Sequence, residues 1–120
     1  MPAMSRSRRP TLEQNPAITV VVVGGPEALV DATKHAALTA TAARVVACDM
    51  KSAATRIAEV RPFAIVVSES VYGFDAAEFD ALARDVNARV IAIDPEGLSA
   101  AELRTRLLAP LADAFRAHYS

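Results

Sequence analysis

Four short polar motifs, each directly after an apolar run, are where this chain could do chemistry: Gly24-Gly25, Asp49, Ser68-Glu69 and Asp94-Pro95. A glycine pair ahead of a helix can cradle a phosphate with backbone N–H groups, because glycine lets the main chain approach an anion closely. A dinucleotide fingerprint needs further spaced glycines, and Pro26-Glu27-Ala28 supplies none, so a tight turn is the plainer use of the pair. Asp49, 24 residues after Gly25, stands where a ribose-binding acid would. Ser68 has a nucleophile's oxygen, but serine needs a base beside it. The two histidines, His35 and His118, fall in a helical stretch and near the C-terminus. A hydroxyl that satisfies loop backbone is the competing role for Ser68. Glu69 and Asp94 could share a hard cation, although two carboxylates without a third ligand also describe a solvated rim. No cofactor and no metal site is expected.

The apolar runs that carry these motifs follow a regular plan. Ile18 to Val23 is a continuous β-branched run ended by Gly24-Gly25, the pattern of a strand buried on both faces. Pro26 and Glu27 suit the start of a helix that continues to about Ala43. Arg44 to Cys48 reads as a second strand, and Ser52 caps a helix that Pro62 stops. Ala64 to Val67 is the third strand, and Glu69 to Asp75 the loop after it. Ala76 to Val86 follows as a helix with Phe79, Leu82, Ala83 and Val86 on one face. Val90 to Ile93 is the fourth strand. Ser99 and Glu102 then form a capping box on a long helix within 98–119. Four strands alternating with helices predict an α/β fold, a doubly wound parallel sheet with flavodoxin-like strand order 2-1-3-4.

The stretch Pro62-Phe63-Ala64-Ile65-Val66-Val67-Ser68-Glu69-Ser70-Val71-Tyr72-Gly73-Phe74-Asp75 resembles the third strand and following loop of a response-regulator receiver domain. The Tyr72-Gly73-Phe74-Asp75 turn is similar to that family's Pro-Gly-x-Asp-Gly loop without its proline. The resemblance runs from about Ile18 to Glu96. It implies a phosphoacceptor position at Ser68, an acidic-pair position at Gly24 and Gly25, and a hydroxyl position at Asp94. Each holds the wrong residue for phosphoryl transfer, which needs a carboxylate nucleophile and hard oxygen ligands for Mg²⁺. Lys51 is the last lysine, so none follows a fifth strand, and no fifth strand is visible. The resemblance therefore implies a degenerate pseudo-receiver: no enzyme, but a signalling or adaptor module acting by protein–protein contact. A small-molecule or nucleotide-binding domain using Gly24, Gly25, Asp49 and Ser68 is the alternative.

Composition narrows the partners. In 120 residues, 52% are hydrophobic and 22% charged, enough apolar material for one core. A net charge of −1 gives no electrostatic case for nucleic acid, and no apolar run is long enough for a membrane span. Residues 1–16 carry Arg6, Arg8 and Arg9 against Glu13 and read as a flexible basic tail. No apolar signal-peptide core follows those arginines, and a single Cys48 fits a reducing compartment, so a cytoplasmic location is expected. The remaining 17–120 form the receiver-like domain. Its C-terminal helix bears an apolar stripe of Leu103, Leu107, Leu111 and Phe115, and Pro110 should bend or divide it. A homodimer is expected through the fourth strand and this helix, with Leu107, Leu111 and Phe115 as contacts and Tyr72 and Phe74 as further partner residues.

Overall fold

The computed structural model describes residues 15–119. The elements are β1 Asn15–Val23, α1 Glu27–Thr41, β2 Ala43–Cys48, α2 Ala53–Val60, β3 Ala64–Ser68, α3 Glu69–Phe74, α4 Ala76–Val86, β4 Arg89–Ile93 and α5 Ala100–Tyr119. The strands form one parallel sheet in the order β2-β1-β3-β4, the flavodoxin-like arrangement that the alternation predicts, with four strands among the described residues. The expected basic tail lies outside the described residues up to position 14, and β1 begins at Asn15, ahead of its β-branched run.

The sheet divides the core in two. Side chains alternate along a strand, so Val20 and Val22 of β1, with Ala64 and Val66 of β3, enter one cluster. Val21, Val23, Ile65 and Val67 enter the other. The central strands carry apolar side chains on both faces for this reason. On the first face, α1 contributes Leu29, Ala32, Ala36 and Ala37, and α5 contributes Leu103, Leu107, Leu111 and Ala114. On the second, α2 contributes Ala53 and Ile57, and α4 contributes Phe79, Ala83 and Val86.

Handedness explains the location of α5. The crossovers β2–α2–β3 and β3–α4–β4 run in one direction across the sheet, so right-handed connections put both helices on one face. The crossover β1–α1–β2 runs the other way and puts α1 on the opposite face. That leaves the α1 side of β3 and β4 bare, and α5 folds back over it beside α1. Leu107 and Leu111 are consequently 0% exposed. They build the core, and the expectation that they contact a second chain is withdrawn.

Two local expectations are also corrected. Residues 69–74 form a short helix instead of a loop, because Ser68 caps it and Glu69 lies in its first turn. Pro110 does not divide α5, which runs unbroken from Ala100 to Tyr119. Proline removes one N–H, whose acceptor would be the carbonyl of Arg106, an exposed residue where water can take its place. The chain reverses after α1, α2 and α4 through Ala42, Arg61 and Asn87, all in the left-handed region. The capping box forms as predicted: the Ser99 N–H donates to Glu102 Oε1 at 2.9 Å and the Glu102 N–H to Ser99 Oγ at 3.1 Å.

Candidate functional site

Parallel strands end together, so the sheet delivers the predicted polar positions to one edge. Val23 lies opposite Cys48 and Val67, and Ser68 opposite Ile93, which places Gly24, Asp49, Ser68 and Asp94 on neighbouring strand ends. In doubly wound sheets this is where ligands bind. The hydrogen bonds there serve the chain's own backbone.

Gly24 and Gly25 have φ of +84° and +73°, the left-handed region that favours glycine, and the Gly25–Pro26 peptide is cis. The Gly24 N–H donates to the Cys48 carbonyl at 2.8 Å, tying the turn to β2. Val71 of α3 lies over this turn, with a methyl 3.5 Å from where a Cβ on Gly24 would sit. The glycines thus make a tight strand-to-helix turn that packs against a valine on one side and is otherwise exposed at Gly24.

Ser68 is 5% exposed and caps α3: its Oγ accepts the Val71 N–H at 3.3 Å and lies 3.4 Å from Ser70 Oγ. Asp49 Oδ1 accepts the Ser52 N–H at 2.9 Å and the Ser52 hydroxyl at 2.8 Å. Those two bonds hold its carboxyl below the ordinary aspartate range. Asp94 Oδ1 accepts the Glu96 N–H at 3.0 Å. Three side chains proposed for chemistry therefore cap or turn their own loops. Among the described residues no group of three or more His, Cys, Asp or Glu side chains could hold a metal ion.

The rim around these caps is acidic: Glu27, Asp49, Glu69, Asp75, Asp94 and Glu96 are exposed there, against Lys51. Such a field repels phosphates and favours a basic partner. Phe74 stands in it at 85% exposure, the highest among the exposed large apolar side chains. Tyr72 is half-buried, with its ring 6.2 Å from that of Phe79 and its hydroxyl donating to Asp80 Oδ1 at 2.9 Å. That bond, ahead of burial, raises the phenol above its ordinary pKa.

Two features escaped the sequence reading. The first is a groove of about 500 Å³ between α4 and β4, lined by Tyr72, Asp80, Ala83, Arg84, Asn87, Ala88, Arg89, Val90 and Ala92. Its only sequence signal was the missing fifth strand. The second is an aromatic cluster at the opposite end of the sheet. Phe63, fully buried, meets Phe115 at 5.5 Å and Tyr119 at 6.2 Å, which leaves Phe115 a packing role. His118 Nδ1 lies 2.8 Å from the Asn87 carbonyl and ties the end of α5 to the turn before β4. The groove and three further concavities, between α1 and α5, beneath Phe63, and beside β2, are lined without Gly24, Gly25, Asp49 or Ser68.

Cys48 is half-buried at the end of β2, and burial, then the Asp49 charge, raise its thiol pKa. No helix among the described residues is long and apolar enough to cross a membrane. Comparisons with family models, with curated proteins and with solved structures found no match.

Proposed function

We propose that this chain is a non-catalytic, receiver-like adaptor of the cytoplasm that works through protein contacts and dimerises along β4. The observation that carries this reading is the double use of the sheet. At the strand ends, Ser68, Asp49 and Asp94 each commit a side-chain oxygen to their own loops, and the Gly24 turn packs against Val71 on one side. At the other side of the sheet, an open groove borders β4, which pairs with β3 and is the edge strand among the described residues. The acidic rim and Phe74 favour a protein partner with basic character over nucleic acid.

Incubation with radiolabelled acetyl phosphate and Mg²⁺ tests the loss of phosphoryl chemistry. No label enters the chain on this reading, and stoichiometric labelling overturns it. A thermal-shift series with ATP, ADP and inorganic phosphate tests the small-ligand alternative. A ligand present at 100 times its Kd would add about 2.7 kcal/mol of stability, and such a shift would transfer the function to the strand ends.

A further inference from the structure

Resting on the reading of β4 as the dimerising edge, we infer that a second copy of this chain pairs with it antiparallel, across a two-fold axis at Ile91. Backbone direction supplies the first argument. The Arg89 N–H donates to the Phe63 carbonyl at 3.0 Å, and the β3–β4 register runs from Ala64↔Arg89 to Ser68↔Ile93. Alternate residues of a strand turn their N–H and C=O to the same side. Arg89, Ile91 and Ile93 therefore face β3, while Val90 and Ala92 present their backbone groups outward. Among the described residues no turn, loop or cap bond reaches the backbone of Val90 or Ala92.

A two-fold axis brings two identical edges together antiparallel. Ala88 cannot extend the pairing, because its N–H already donates to the Ala83 carbonyl at 2.8 Å. The register that uses Val90 and Ala92 fully sets Val90 opposite Ala92 of the second copy and leaves Ile91 on the axis. Facing pairs of this kind exchange both N–H···O=C bonds.

Charge supplies the second argument and selects a copy of the same chain as occupant. β4 starts at Arg89, close to Arg84 in the last turn of α4, and is followed by Asp94 and Glu96, all four exposed. Antiparallel pairing sets the basic start of each strand beside the acidic end of the other, and does so twice. A parallel neighbour of the same sequence would place like charges together, which is disfavoured. The groove beside β4, with Tyr72, Ala83, Val90 and Ala92, offers apolar surface next to the paired strands.

Light scattering after size exclusion tests this on the full chain. The wild type runs as a dimer. Ala92→Pro, which deletes an N–H the chain's own sheet does not use, runs as a folded monomer by circular dichroism. Ala47→Pro, at the outward position of the opposite edge strand β2, stays dimeric. Two charge-reversed chains, Arg84→Glu with Arg89→Glu and Asp94→Arg with Glu96→Arg, each self-associate at least about tenfold more weakly, and mixing them restores a one-to-one dimer. That mixture decides the matter if Ala92→Pro fails to fold. A wild-type monomer at high concentration removes the dimer reading and this pairing together. A wild-type dimer that Ala92→Pro leaves intact, that Ala47→Pro dissociates, or whose charge-reversed halves do not recombine overturns the pairing and leaves dimerisation standing.

Discussion

Leu111→Ala separates a core helix from a partner-facing one. Leu111 is 0% exposed and belongs to the cluster that joins α5 to α1, β1 and β3. Truncation removes three carbons, each worth about 0.8 kcal/mol of transfer free energy, or about 2.4 kcal/mol together. Incomplete collapse of the resulting cavity adds to this, which brings the loss to about 3 kcal/mol, inside the range for buried leucines. Urea unfolding followed by circular dichroism measures it. With a slope of about 1–3 kcal/mol per molar, the midpoint falls by roughly 1–3 M at unchanged slope. Leu108, half-buried one turn away, is the control, and its change to alanine costs about 1 kcal/mol. The cost at Leu111 is the same at every protein concentration, because the contacts lie within one chain. A loss below about 1 kcal/mol, or one that grows on dilution, would refute the placement of α5.

Three further outcomes follow from the strand ends. Ser68→Ala removes the cap of α3 and lowers stability by about 1 kcal/mol in urea; no measurable loss would mean that the 3.3 Å bond to the Val71 N–H is idle. Hydrogen bonds from the Ser99 N–H and side chain hold the Glu102 carboxyl below its ordinary pKa. A depressed folded-state value gives stability that is present above the unfolded pKa and fades as pH falls through the folded one. The melting temperature of wild type should therefore exceed that of Glu102→Ala at neutral pH and converge with it in acid, and a gap that persists at low pH contradicts the capping box. Cys48, its thiol pKa raised by burial, should be alkylated by iodoacetamide more slowly than free cysteine at pH 8; an equal rate would show an open thiol.

The strands were legible because burial on both faces demands unbroken apolar runs, and Val20 to Val23 and Ile65 to Val67 have them. α4 and α5 were legible from helical spacing and the Ser99–Glu102 pair. α3 was not, since six residues with a glycine and a valine show no period, and only the Ser68 cap marks the helix. Helix ends at Ala42, Arg61 and Asn87 lack the glycine that usually signals them. The stripe of Leu103, Leu107 and Leu111 was visible, but periodicity reports that a face is buried and not by what. Crossover handedness decides that, since it leaves half of one face for α5. At the strand ends the residue types were read correctly as polar edge positions. Their chemistry could not be, because whether a serine or aspartate serves a ligand or its own loop depends on which N–H lies within 3 Å or so of its oxygen.

The helix that closes the first face is also the last described element to be synthesised. The α2–α4 face has all its parts once β4 is made, whereas the α1 face stays half uncovered until residues 100–119 follow. The two halves of this small core thus mature at different times on the ribosome. A released chain cut short after β4 would leave Phe63, Ala64, Val66 and Ile91 without the helix that packs on them, and α5 is the cover that retires that adhesive surface.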